Sequence, residues 1–169
     1  MSLREKVKPA GLSPSELWAA LEPETRRMAG KAFYNRGGEG GAGRREADLA
    51  VAAALRFREA AVRKLPVERR IDYLLRVVRA DDSLACSLLL ALHLAHRVPL
   101  LEAFLDRLGI PQSGGLIDED WDLEPPGREN LAAAAAAVRE RFSAEEVDLY
   151  LLSLLVMDPE TWGELADLL

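Results

Sequence analysis

Along most of the chain, apolar positions recur every three to four residues, the spacing of a helix with one buried face, and the strict alternation of a half-buried strand is not seen. Order is predicted to begin at Ser13. In Ser13-Pro14-Ser15-Glu16 the serine can cap a helix, proline suits the first turn, and Glu16 stands where a reciprocal capping box places it. That short helix reaches about residue 21, and a second covers 23–34. Residues 37–43 (GGEGGAG) carry five glycines and are read as a flexible loop, because glycine has the largest backbone entropy to lose in a helix.

Leu49, Ala52, Ala53, Leu55, Ala60 and Val62 then predict one long helix over 44–64. Another, over 66–78, carries Ile71, Leu74, Leu75 and Val78 on one face. Asp81 or Asp82 caps a helix running to about residue 95. Its segment LACSLLLALHLA is apolar nearly all round, which places it at the centre of the core. A helix over 99–108 stops at Gly109 and Pro111. Residues 110–127 (IPQSGGLIDEDWDLEPPG) form a long connection, of a length that is uncommon without a function. Three more helices, over 128–141, 144–156 and 159–168, close the chain, with Ser143 to Glu146 as a second capping box and Asp158-Pro159 as a cap and first turn.

The fold class is therefore all-α: a compact bundle or short array of about eight helices, with residues 1–12 as a flexible N-terminal arm and 13–169 as one domain. A weak self-similarity adds an internal pseudo-twofold duplication of a helix-helix-helix unit as one reading of this array. AAVRKLPVERRIDYLLRVVRADD (60–82) and AAVRERFSAEEVDLYLLSLLVMDPE (136–160) share the order AAVR, glutamate, Tyr-Leu-Leu and capping Asp, giving repeat halves 44–109 and 128–169. Chance similarity within an Ala- and Leu-rich composition is the competing reading.

Composition strengthens the helical assignment. Apolar residues make up 49% but aromatics only 6%, so Leu, Ala and Val must supply the burial. The single cysteine, Cys86, excludes an internal disulfide framework and a multi-cysteine zinc ribbon. The longest apolar run is far below the roughly 20 residues of a membrane span, and a cytoplasmic protein without membrane partners is expected.

Charge changes the picture more. Residues 1–80 hold 17 Lys+Arg against 10 Asp+Glu, whereas 81–169 hold 5 against 18. Such asymmetry can steer a partner of either sign, or draw two copies together.

No constellation of catalytic or cofactor-binding residues stands out, and no cofactor is called for. Gly38 to Arg45 (GEGGAGRR) has the glycine spacing of a phosphate loop, but arginines replace its lysine and its Ser or Thr, and a helix precedes it. His93 and His96, three residues apart on one helix, are the metal-ligand candidates and would need further ligands from another helix. Cys86 and His93 lie about 10.5 Å apart along the same helix axis, too far for a nucleophile and its base. The acids of the long connection lack the glycine and distal glutamate of an EF-hand calcium loop.

What remains is a non-catalytic protein–protein interaction module, an adaptor or regulatory subunit. Its contact residues would be Trp121 with Asp118, Asp120 and Asp122 in an acidic loop that also carries Leu123, and Arg44, Arg45 and Arg56 in the basic half. The protein partner is not specified by the sequence, and a symmetric homodimer is one form it could take. Two alternatives stand beside this reading: a nucleic-acid-binding helical protein using the basic half, and a small helical enzyme built on a carboxylate/arginine site.

Overall fold

The computed structural model describes residues 3–36, 41–122 and 124–169; Gly37 to Gly40 of the glycine-rich loop and Leu123 of the acidic loop lie outside them. The described chain is an all-α array. Its helices are α1 (Leu3–Lys6), α2 (Pro14–Ala20), α3 (Pro23–Asn35), α4 (Ala42–Leu55), α5 (Glu59–Arg63), α6 (Val67–Val77), α7 (Asp82–His96), α8 (Val98–Arg107), α9 (Arg128–Arg139), α10 (Ala144–Met157) and α11 (Pro159–Trp162). Short 3-10 turns follow α6 and α11.

The predicted caps do the work expected of them. Ser13 and Glu16 form a full capping box, with Glu16 N donating to Ser13 Oγ at 3.2 Å and Ser13 N to Glu16 Oε2 at 2.9 Å. Asp81 caps α7 through Leu84 N at 2.9 Å, and Asp158 caps α11 through Thr161 N at 3.2 Å. Asp82, the other candidate, instead accepts from Ser15 N at 2.9 Å and ties the start of α2 to α7. At Ser143 only half the box closes: Glu146 N donates to Ser143 Oγ, while the hydroxyl itself donates to the Glu146 carboxylate at 2.6 Å.

Two apolar clusters share helix α10. On one side Leu149, Leu152 and Val156 join α2, α3, α4, α6 and α7; on the other Val147, Tyr150 and Leu151 join α8, α9 and the C-terminal turns. Helix α7, predicted to be central, packs against α2, α3 and α10 and meets α8 at a 95° corner.

Three expectations are corrected. Residues 3–7 are not a free arm: Leu3 and Val7 are buried in the first cluster, and Arg4 pairs with Asp148 of α10 at 2.9 Å. The long helix expected over 44–64 is two helices. Arg56 adopts a left-handed conformation (φ 54°), with Arg56 N bonded to Ala53 O and Phe57 N to Ala52 O, the double bond of a Schellman ending that glycine usually fills. Apolar periodicity continues across such a break and cannot reveal it. Finally, α4 begins at Ala42, so Gly43 belongs to its first turn; a Cβ there would stand 2.1 Å from the Phe33 carbonyl oxygen, and only glycine lets α4 approach α3 so closely.

The two stretches compared for duplication deliver the same order, α5-α6-α7 and α9-α10-α11, with an Asp capping the third helix of each. Their members differ in length, from five residues in α5 to twelve in α9. Tyr73 is half-buried where Tyr150 is buried.

Ion pairs on buried carboxylates link the helices. Asp48 of α4 accepts from Arg70 of α6 at 3.0 Å, and Arg70 also donates to Leu65 O. Asp148 receives Arg4 from α1 and Arg139 from α9. Leaving one member of such a pair buried alone is strongly destabilising, whereas replacing both with apolar groups often is not. Asp48→Ala should therefore lower unfolding stability in urea by about 3 kcal/mol, and Asp48→Leu with Arg70→Met by much less. A loss below about 1 kcal/mol for Asp48→Ala would show that the pair does not hold α4 to α6.

Candidate functional site

The connection predicted over 110–127 is not wholly irregular. Gln112–Ser113 (β1) and Leu116–Ile117 (β2) form a two-residue antiparallel hairpin, with Gln112 opposite Ile117 and Ser113 opposite Leu116. Gly114 and Gly115 make its turn with φ of 61° and 84°, the positive values that a two-residue hairpin of this hand requires. Gly115 also touches α8: a Cβ there would stand 2.8 Å from Leu101 Cβ. Gln112 Oε1 accepts from Gly115 N at 2.8 Å, and its Nε2 donates to Asp106 of α8 at 3.1 Å. The hairpin is thus stitched to α8 at several points.

The acidic segment follows directly on this base. Asp118 is committed to the fold: its carboxylate accepts from Ser113 Oγ at 2.9 Å, its amide donates to Pro111 O, and its carbonyl accepts from Trp121 N. Glu119, Asp120, Asp122 and Glu124 are exposed. Trp121 is 46% exposed and Leu116 45%, whereas Trp18 and Trp162 are buried. A large indole left in water beside four exposed carboxylates offers apolar area and negative charge together.

The basic residues divide differently. The Arg44 guanidinium is half-buried and lies 4.8 Å above the Tyr34 ring, with Arg70 5.3 Å from the same ring. Arg45 and Arg56 are exposed. Others in this half are paired internally: Arg27 with Glu68 and Asp72, Arg63 with Glu59, and Lys31 with Glu68 at 3.9 Å. Exposed Leu49, Phe57 and Val67 accompany them.

The two histidines are parted. His96 is exposed, while His93 is buried with Nε2 2.9 Å from Ser153 Oγ and its ring edge-on to Tyr150 at 5.4 Å. Among the described residues no group of three or more His, Cys, Asp or Glu side chains could hold a metal ion. The Ser153 hydroxyl donates to Leu149 O at 2.7 Å. Its one proton is therefore not directed at the imidazole as a nucleophile's would be. The buried Asp–Arg contacts, for their part, hold helices together. Sequence reasoning missed the His93–Ser153 pair because the two residues are 60 positions apart on helices whose register it does not supply.

Burial, reinforced by Arg97, pushes the His93 imidazole down to about 3 from an ordinary value of 6.5, so it folds neutral. The unfolded chain takes up a proton below 6.5 that the folded chain refuses, and stability present above that pH is lost as pH falls toward 3. Urea unfolding at pH 7.5 and 5.5 should show a drop of roughly 1 kcal/mol that is missing in His93→Leu. An equal drop in both proteins would place its origin elsewhere. Gly115→Ala, which adds both left-handed strain and the Leu101 clash, should cost at least about 1–2 kcal/mol. An unchanged melting curve would mean that the hairpin is not held on α8.

Compared with known proteins, no family model, no curated protein and no solved structure matches this chain.

Proposed function

We propose that this chain is a cytoplasmic, non-catalytic helical interaction module, an adaptor or regulatory subunit, that docks a basic, partly apolar protein surface through its acidic Trp121 loop. The observation that carries the reading is the exposure of Trp121 on a connection whose base is fastened to α8, with exposed carboxylates on either side of it in sequence. A rigid base lowers the ordering cost of binding, and a single aromatic anchor can supply most of the binding energy. Asp120 and Asp122 would steer the encounter, whereas Asp118 supports the loop from within.

The basic N-terminal half is the second contact surface in this reading, with Arg45 and Arg56 on its exterior and Arg44 held against Tyr34. Two copies could meet by placing the acidic loop of one on this surface of the other, because their charges are complementary.

The test is affinity capture of wild type and Trp121→Ala from the native host's lysate, with and without nuclease. A stoichiometric protein that survives nuclease, and whose purified form binds Trp121→Ala at least about 30-fold more weakly, is expected. Its binding should also weaken as salt rises, through screening of the exposed acids. Unchanged capture by Trp121→Ala would sink the docking loop, and loss of all bound material to nuclease would move the assignment to the nucleic-acid alternative.

A further inference from the structure

Beneath the hairpin lies a cavity of about 170 Å³ between α7, α8, α10 and β2. Leu101 and Leu105 of α8, Leu154 and Met157 of α10, and Leu116 and Ile117 of the hairpin supply apolar walls. The lining is almost wholly apolar, with His93, Tyr150 and Ser153 contributing only a little polar surface behind it. An apolar cavity of about 150 Å³ is known to stay dry and to admit one benzene ring. The space here is of similar size but partly open, and it suits a one-ring molecule with one edge toward solvent.

The polar groups restrict the chemistry further. Ser153 Oγ has one proton and gives it to Leu149 O, so its contact with His93 requires Nε2 to carry the imidazole proton and donate to Oγ. Nδ1 is then a bare acceptor. It is buried and has no hydrogen-bond partner, on a residue only 2% exposed. Ser153 Oγ keeps one lone pair as well, so the His93–Ser153 pair offers acceptors and no spare donor. Tyr150 stands edge-on to both His93 and Phe104, which fixes the imidazole plane. Burial keeps the His93 ring neutral and the Tyr150 phenol protonated, so no side chain of the lining carries a charge to meet an ionic ligand. Burying an uncompensated charge among these leucines would cost far more than any contact returns.

We propose that this cavity is a binding site for a compact, uncharged, mainly apolar molecule of about one aromatic ring, carrying one hydroxyl or N–H that donates to the acceptors of the His93–Ser153 pair. The hairpin forms the outer wall of the site, which stays partly open to solvent: Leu116 faces both the cavity and solvent, and Gly115 holds the strand ends against Leu101. The site is separate from the Trp121 docking surface and does not depend on it.

The test is an NMR titration of the full chain with phenol, with toluene as the ring of similar size that lacks a donor and benzoate as the charged control. Phenol should give saturable shifts of the Leu101, Leu105, Leu154 and Met157 methyls and of the His93 ring nitrogens. It should bind roughly tenfold more tightly than toluene, the worth of one hydrogen bond to a buried acceptor. Benzoate should not saturate. His93→Phe keeps an aromatic ring against Tyr150 and removes the imidazole acceptor, and it should bring phenol down toward toluene. Because the main comparison uses the wild-type chain, it does not rely on that variant folding. Absence of saturable phenol shifts at these residues, equal affinity for phenol and toluene, or displacement of phenol by benzoate would each overturn the assignment.

Discussion

Helix α10 must be buried on nearly its whole circumference, and the rest of the architecture follows from that demand. Val147, Leu149, Tyr150, Leu151, Leu152, Leu155 and Val156 are all buried, and each such side chain contributes ~1.5–3 kcal/mol when removed from water. No single neighbour can cover so wide a surface. The N-terminal helices with α7 cover one side and α8, α9 and the C-terminal turns the other, so α10 is the wall common to two apolar clusters. Even the first residues of the chain are recruited, because Leu3 and Val7 fill a place in the first cluster.

Burial of that extent leaves the polar groups of α10 with few options. Asp148 and Ser153 are both buried on it, and each is satisfied by a side chain from a different element. Asp148 draws in Arg4 and Arg139, fastening α1 and α9 to the same helix; Ser153 meets His93 of α7 across the interior. Hydrophobic contact is non-directional, whereas these contacts have angles and distances to keep, so they add register to a packing that leucines alone would leave loose. The Asp48–Arg70 pair plays the corresponding part between α4 and α6.

The surface features depend on this scaffold. The hairpin of residues 112–117 is too short to stand alone, and it keeps its place through Asp106, Leu101 and the close approach that Gly115 permits. It therefore serves two faces at once, covering an apolar cavity on the inside and carrying the acidic, Trp-bearing segment onward to the outside. The charge imbalance between the halves remains a property of the exterior, though several N-terminal cations, Arg27, Lys31 and Arg70 among them, are neutralised by partners on neighbouring helices.

The local rules of helix formation were legible over most of the chain, though not at α1 or between α4 and α5. Apolar spacing located the helices, and Ser13, Asp81, Ser143 and Asp158 marked their starts because a cap acts within three or four residues of itself. An all-round apolar composition likewise placed α7 at the centre, since such a helix has no face to give to water. The break at Arg56 escaped because left-handed backbone leaves the hydrophobic period undisturbed. The role of Gly43 escaped because its contact is the backbone of another helix. The exposure of Trp121, the half-burial of Arg44, the separation of His93 from His96 and the meeting of His93 with Ser153 were all decided by how the helices pack. The sequence by itself determined most of the helices, their capped starts and the charge each half carries, because those depend on neighbours along the chain; only tertiary structure decided where α4 breaks from α5, that residues 3–7 dock, which polar groups meet and which aromatic stays in water, because those depend on neighbours in space.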